Sequence, residues 1–421
     1  MPFAPWTVEL DAEGAAQASA QVEAISVGPD GRTVAVGRFK GLLRLGAWST
    51  RSEADADGFV AMFAGNGALQ CLTRIDAILP SRRSLAFDGA SVFIAAPGFL
   101  DRPDGAASRA SYSLTRLAAT DGRIVWQVRD EEAAMDGAAA SRARNVYVAG
   151  LSAAAAIRPW RDGGGDLLPP DLQVGILSAQ DVHVACYGDN GHLRWRRTIA
   201  DLPFGRPVAS DLVELSSGEV AVAGTFASRL QIEGQSLLAE TGRESFVALF
   251  SPEGALCWMK RLPGEIRRFL PPRLAATRSG VVVLHSSHME GEPGPAGPER
   301  DYRVVAFDVS GAILSTLAVD LDSRNGFYTQ LASGRDDRLF VAGDDLGEGR
   351  GGQPLVLEIV PAGRAGLTRR RAIRGHVAPI GLGVGSGGRF LVTATAEPRD
   401  ATMARYRSRL EAFSIRPEDS H

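Results

Sequence analysis

The chain has 421 residues, of which 45% are apolar and 23% charged, and its formal net charge is −3. This near-neutral balance gives no reason to expect nucleic acid or an anionic membrane as a partner. No run of about 18 apolar residues indicates a membrane span, and no basic, apolar leader precedes the first strand. With Arg strongly preferred over Lys and with abundant Ala and Gly, the composition favours a bacterial, cytoplasmic protein.

The first predicted element is a strand within "MPFAPWTVEL", residues 1–10. Trp6, Val8 and Leu10 alternate with Thr7 and Glu9, which is the pattern of a half-buried strand. A polar, Ala-rich stretch follows, so this strand has no sequence neighbour with which to form a hairpin. Its pairing partner must therefore come from elsewhere in the chain.

A repeat begins after this strand. One recurring element is a polar turn, an apolar strand and then a small residue, as in 29–39, 141–151, 216–226 and 334–344. It is followed by a strand, a Gly-containing tight turn and another strand, as in 57–75, 181–199 and 244–262. With one apolar stretch in front, each unit contains four consecutive strands, which we call a, b, c and d in chain order. The turn chemistry predicts antiparallel pairing throughout.

Seven such units fit the chain and predict an all-β fold, a single seven-bladed β-propeller of four-stranded antiparallel blades. The predicted blades span residues 21–76, 77–131, 132–200, 206–263, 264–320, 323–372 and 376–415. The seventh unit lacks a d strand. We therefore expect residues 4–10 to serve as its outer strand, so that the ring closes by pairing the two ends of the chain.

The d strands share an aromatic column. Trp126, Trp195 and Trp258 each stand four positions after the hairpin glycine, and Trp6 occupies the same place in the N-terminal strand. We expect these side chains to cover the contacts between blades, and Trp6 to take part in ring closure. A packing role is favoured over stacking against a ligand.

The segments "FVALFSPEGALCWMKRLPG" and "LSSGEVAVAGTF" resemble the repeat of the bacterial seven-bladed β-propeller (SBBP-like) family. That resemblance implies a repeat protein that acts as a binding scaffold; many members are exported, which stays an alternative location. The segment "LAATDGRIVWQVR" is also similar to the repeat of quinoprotein-type propellers. The vicinal cysteines of those enzymes have no counterpart here, so no cofactor is expected.

The a–b and c–d turns are short, whereas the b–c connections are long and dissimilar. Elaborated loops usually carry binding function. The longest, residues 152–180, contains Arg158, Trp160 and Arg161, which are residue types of interface hot spots, and Trp48 lies in the first b–c connection. We expect these four residues to contact a partner, although Trp160 folding back onto a neighbouring blade is an equal alternative.

Catalytic signatures are missing from the sequence. Its three cysteines sit singly in apolar segments, which predicts buried, unpaired thiols. His285 and His288, together with Glu290 or Asp344, form a weak metal candidate, and we expect no metal site. No nucleophile–base pair or phosphate-binding loop is present, although a site assembled across blades would not appear in a sequence motif.

Two functional hypotheses follow. The first is a non-catalytic scaffold or sensor that docks another protein, encoded nearby or in the same complex, on the face of the b–c connections. The alternative is a ligand-binding or hydrolytic propeller that acts on a sugar or a lactone at the central channel.

Overall fold

The all-β class predicted from the sequence is confirmed, and no helix occurs in the described part of the chain. The structure, a computed structural model, describes residues 5–14, 18–28, 30–53, 56–75, 85–100, 109–130, 133–140, 145–152, 181–202, 207–240, 242–262, 264, 271–286, 302–319, 330–334, 337–344, 354–359, 367–372, 379–385, 390–398 and 406–414. Within these residues, no helix is long and apolar enough to cross a membrane.

The described strands are as follows, in chain order. The first half of the chain contains β1 (Trp6–Glu13), β2 (Ser19–Val27), β3 (Thr33–Lys40), β4 (Leu42–Leu45), β5 (Trp48–Arg51), β6 (Asp57–Phe63), β7 (Leu69–Ile75), β8 (Leu85–Phe87), β9 (Ser91–Leu100), β10 (Arg109–Ala118), β11 (Ile124–Asp130), β12 (Ala133–Ala140), β13 (Val146–Ser152), β14 (Val182–Tyr187) and β15 (Leu193–Leu202). The second half contains β16 (Val208–Glu214), β17 (Val220–Phe226), β18 (Arg229–Ile232), β19 (Gln235–Leu238), β20 (Glu244–Phe250), β21 (Leu256–Leu262), β22 (Arg273–Ala276), β23 (Gly280–Ser286), β24 (Tyr302–Asp308), β25 (Ile313–Val319), β26 (Gln330–Ser333), β27 (Leu339–Asp344), β28 (Pro354–Ile359), β29 (Leu367–Ala372), β30 (Pro379–Val384), β31 (Phe390–Pro398) and β32 (Tyr406–Ser414).

Within the described residues these strands form seven antiparallel sheets, which we number I to VII in chain order. From the a strand to the d strand, the sheets are I (β2-β3-β6-β7), II (β8-β9-β10-β11), III (β12-β13-β14-β15), IV (β16-β17-β20-β21), V (β22-β23-β24-β25), VI (β26-β27-β28-β29) and VII (β30-β31-β32-β1). The a strands of consecutive sheets contact one another, and β30 also contacts β2. Four-stranded sheets placed side by side through their first strands are the β-propeller architecture.

The strand that completes sheet VII comes from the opposite end of the chain. β1 pairs antiparallel with β32, with Trp6 opposite Ala412 and Leu10 opposite Ser408. The buried Ser408 hydroxyl accepts a hydrogen bond from the backbone N–H of Val22 in sheet I, at 2.8 Å. These contacts join the first strand to the last strand, and the last strand to sheet I.

The small residue that follows each repeated apolar strand is explained by the structure at Gly37 and Gly224. A Cβ atom at Gly37 would lie 2.0 Å from the carbonyl oxygen of Gln21, and one at Gly224 would lie 2.1 Å from that of Val208. Both positions adjoin a register shift in the a–b ladder. A β-bulge brings the two backbones so close that no side chain fits, so glycine is required there.

The cores lie between sheets rather than within one. Each of the seven hydrophobic clusters in the described residues combines side chains from two consecutive sheets. One cluster joins Phe340 of sheet VI to Phe413 of sheet VII, and another joins Leu410 of sheet VII to Phe59 of sheet I. Each sheet therefore depends on its neighbours to bury its faces.

The prediction that the b–c connections are dissimilar is wrong for two of them. The connections in sheets I and IV both fold into a hairpin, β4–β5 and β18–β19 respectively. Each hairpin extends the d strand of the preceding sheet, since β4 pairs with β1 and β18 pairs with β15. In sheet II the predicted connection is partly strand, because β9 and β10 pair as far as Leu100 and Arg109.

Candidate functional site

The four aromatic residues of the Trp column make the same contact. Each indole N–H donates to a carbonyl in the c–d turn of the next sheet: Trp6 to Gly65, Trp126 to Asp189, Trp195 to Pro252 and Trp258 to Val309. The ring also covers the glycine of that turn, so that a Cβ at Gly254 would stand 2.6 Å from the ring of Trp195. These contacts fix sheet VII against sheet I and sheets II to V against one another, which gives surface sites on those sheets a rigid support.

The two added hairpins lie at the end of the sheets where the b–c connections and the d–a connections meet; we call it the b–c end. Paired apolar side chains anchor them, because Leu43 and Leu230 are fully buried and belong to the cores between sheets. Each hairpin therefore contributes to the core on one side and presents its other side to solvent.

An arginine and two carboxylates recur at the base of each hairpin. Arg74 contacts Glu53 at 2.8 Å and the buried Asp57 at 3.3 Å. In sheet IV, Arg261 contacts Glu240 at 2.8 Å and Glu244 at 3.3 Å, and the Glu244 side chain is 1% exposed. The hydrogen bond that Arg261 donates to Glu240 raises the pKa of Arg261 above its ordinary value. Each arginine bridges two carboxylates, so these ion pairs fix the base of the hairpin.

Trp48 is an exposed aromatic residue on this end of the molecule. It is the first residue of β5, it pairs with Leu45 across the hairpin, and it is 45% exposed. In the other hairpin the position that pairs with Ile232 is taken by Gln235. Because a glutamine suffices at the equivalent place, hairpin packing does not require the tryptophan.

The a–b turns form a second candidate site at the opposite end of the sheets. Turns of sheets IV, V and VI line an open cavity of about 370 Å³. Its lining includes Glu214, Thr277, Arg278, Ser333 and Asp337. The Asp337 carboxylate accepts a hydrogen bond from the Arg278 backbone N–H at 2.7 Å, which links the turns of sheets V and VI. Carboxylates, hydroxyls and a guanidinium in one concave site can bind a small polar ligand.

The sequence does not predict this cavity, because binding sites are expected on the long b–c connections and not on the short a–b turns. The only available signal was the polar character of each turn. No single turn indicates a site, because Glu214, Thr277 and Ser333 belong to three different repeats. Their proximity follows from the packing of the sheets.

The cysteines do not form a reactive centre. Burial raises the pKa of Cys71 to about 11 and that of Cys186 to about 12. Both thiols are therefore protonated at neutral pH and unsuited to nucleophilic attack. The prediction that all three cysteines are buried is wrong for Cys257, which is exposed because it alternates with the inward-facing Trp258 on β21.

The other predicted site residues are placed as follows. His285 is 2% exposed on β23, and the described residues contain no group of three potential metal ligands. His288 and Glu290 lie outside the described residues, as do Arg158, Trp160 and Arg161. The assignment of these last three to a partner surface therefore stays a prediction.

No family model matches the sequence, and no curated protein matches it. Among solved structures, the chain is similar to the Dos1 propeller, with 9% identity and a TM-score of 0.49 over 97% of this chain and 94% of that one. It is also similar to the WD40 β-propeller domain of Doa1, with 10% identity and a TM-score of 0.46 over 99% of both chains. The β-propeller domain of the trilobed protease from Pyrococcus furiosus has 8% identity and a TM-score of 0.47, over 95% of this chain and 96% of that one. Identities this low carry no information about activity.

Proposed function

We propose that the protein is a non-catalytic scaffold built on one closed, seven-bladed β-propeller of the SBBP-like repeat type. Ring closure is supported by the pairing of β1 with β32 and by the contact between β30 and β2. It is supported further by the two apolar clusters that flank sheet VII, one shared with sheet VI and one with sheet I. A ring closed in this way is stiff, which suits a platform that holds a partner protein.

The partner surface is the b–c end, and the observation that carries this proposal is the exposure of Trp48. An exposed tryptophan on a rigid hairpin is a typical anchor residue of a protein interface. The equivalent Gln235 shows that the fold has no need of an aromatic residue at this position. Arg158, Trp160 and Arg161 belong to a b–c connection as well, and we propose that they extend the same surface.

The test starts by placing a photo-reactive amino acid at position 49, next to Trp48, and identifying the captured protein by mass spectrometry. The affinity of that purified protein is then measured for wild type and for Trp48→Gln, which copies the natural residue of the other hairpin. We expect a loss of about tenfold or more, the effect of removing a hot-spot side chain. Gln235→Ala is the matched control and should bind as wild type does.

A further variant replaces residues 153–179 with a short Gly/Ser linker. If this variant and Trp48→Gln both retain full affinity for the captured protein, the assignment of the b–c end is wrong. If the linker variant alone binds normally, the partner contacts the hairpin and the contribution of Arg158, Trp160 and Arg161 is excluded.

The a–b cavity favours a second candidate function, the binding or hydrolysis of a sugar or a lactone. Its volume of about 370 Å³ is sufficient for a monosaccharide, and its hydroxyl and carboxylate groups are suited to polyol recognition. Calorimetric titration with a panel of monosaccharides and aldonolactones tests it. Saturable heat that is abolished in Asp337→Asn supports the hypothesis, and its absence for the whole panel removes it.

A further inference from the structure

The outer strand of sheet V carries no charged residue. β25 has the sequence ILSTLAV, whereas the other d strands of the described chain all contain charged side chains: Glu9 in β1, Arg74 in β7, Arg129 in β11, Arg197 in β15, Lys260 in β21 and Arg369 in β29. Charges on an edge strand discourage pairing with a second chain. β25 lacks this protection.

Exposed apolar side chains concentrate at the same place. Val309 is 49% exposed in the turn before β25, and Ile313 and Leu314 at the start of the strand are 65% and 49% exposed. Thr316 and Ala318 are exposed as well. The outward-facing side chains of this edge are therefore uncharged along its length and strongly apolar at one end.

No strand within the described residues pairs with the free edge of β25. The corresponding edges of sheets VII and III are extended by β4–β5 and β18–β19, each from the b–c connection of the next sheet. For sheet V that connection would be residues 345–353, of which Leu346 is the only large apolar one. The sequence there lacks the alternating apolar pair of the two hairpins, Leu43 with Leu45 and Leu230 with Ile232.

We propose that β25 is a self-association edge, which pairs antiparallel with β25 of a second copy about a two-fold axis at Thr316. In this register Thr316 faces Thr316 of the second copy, Leu314 faces Ala318 and Ile313 faces Val319. Thr–Thr and aliphatic pairs are favourable cross-strand neighbours. The two copies of sheet V then form one continuous eight-stranded sheet, and the unpaired backbone groups of both edges are satisfied.

The absence of charge on β25 favours a second copy of the same strand as its pairing partner. In a two-fold pair of any other d strand, both copies bring the same charged side chains within a few residues of one another, and like charges across strands are destabilising. The neutral β25 meets no such repulsion. A two-fold interface also uses one surface twice, so that a single uncharged strand is sufficient.

Sedimentation equilibrium of the full chain over a series of concentrations tests the proposal. We expect wild type to reach a species of twice the 44.5 kDa chain mass as its concentration rises. The double variant Leu314→Lys/Thr316→Lys should weaken association at least tenfold. The matched control, Val125→Lys/Gln127→Lys, changes the equivalent exposed positions of β11 and should associate as wild type does.

A cross-linking experiment tests the register and does not depend on the stability of the lysine variants. Both cysteine variants are made in a Cys257→Ser background, because Cys257 is the exposed thiol of the described chain. Thr316→Cys should form a disulfide-linked dimer on mild oxidation, since directly opposed residues of an antiparallel pair lie within disulfide reach. Gln127→Cys should not.

Three results overturn the proposal. The first is a wild type that stays monomeric throughout the concentration series, in which case β25 either is covered or receives a different chain. The second is a dimer that the β25 double variant leaves intact. The third is equal cross-linking of the Thr316→Cys and Gln127→Cys variants, which indicates random collision rather than a specific pair.

Discussion

Removal of the Trp6 side chain is the most direct test of how sheet VII is completed. The indole donates to the Gly65 carbonyl at 3.1 Å, stacks on Phe63 with ring centroids 6.1 Å apart, and covers the turn glycine Gly67. Truncation of a buried Trp to Ala typically costs about 3–5 kcal/mol. Because Trp6 is only half-buried, we expect Trp6→Ala to reduce the free energy of unfolding by about 2–3 kcal/mol.

The assay is urea unfolding followed by far-UV circular dichroism, with two companion variants. Trp6→Phe keeps an aromatic ring but loses the N–H donor, so its cost should be about 1 kcal/mol, the net value of one hydrogen bond. Trp48→Ala removes an exposed indole and should stay within about 0.5 kcal/mol of wild type. Deletion of residues 1–10 should be more severe than any of these. If Trp6→Ala is as mild as Trp48→Ala, the N-terminal strand does not stabilise the ring.

Three further predictions concern other contacts. Gly254→Ala should destabilise the protein by at least the cost of backbone strain, about 1–3 kcal/mol, in the same assay, because φ is +86° there and the new Cβ would also lie 2.6 Å from the Trp195 ring. Gly234→Ala measures backbone strain alone, because Gly234 also has a positive φ but nothing lies within 4 Å of its added Cβ. Arg261→Ala should cost about 2–4 kcal/mol because it breaks an ion pair with the buried Glu244 carboxylate, whereas Glu240→Ala, which removes the exposed carboxylate, should cost less than about 1 kcal/mol. Among the three thiols, only the exposed Cys257 should react with iodoacetamide in the folded protein. Partial desolvation and the nearby Glu219 and Glu253 carboxylates raise the pKa of Cys257, so it is protonated at neutral pH and its reaction rate should rise with pH. Mass spectrometry that finds Cys71 or Cys186 labelled without denaturant would contradict their burial.

Local chemistry made much of the fold predictable. Alternating apolar residues and Gly-containing turns act over a few residues, so the four-strand unit and the c–d hairpins could be derived from the sequence. The recurring small residue after the apolar strand can also be seen in the sequence, but the reason that it must be glycine cannot. Only the structure shows that Gly37 and Gly224 sit where a bulge brings two backbones within contact distance.

Contacts between repeats were harder to predict from the sequence. The sequence placed Trp195 and Trp258 in one column, because both stand four positions after a turn glycine and this spacing can be read directly along the chain. It gave no indication that each indole would donate to a carbonyl in the next sheet, nor that the b–c connections in sheets I and IV would extend the sheet before them. Such pairings join segments far apart in the chain and depend on how the sheets are placed.

The sequence by itself determined the all-β class, the repeating unit and the alternation that half-buries β1. Only the tertiary structure decided which polar residues lie together: Glu214, Thr277 and Asp337 around one cavity, and Arg261 between Glu240 and Glu244. It also decided that Cys257 is exposed and that β25 is an uncharged open edge. The physical reason is that strand formation depends on near neighbours in the chain, whereas burial and proximity depend on the packing of one sheet against the next.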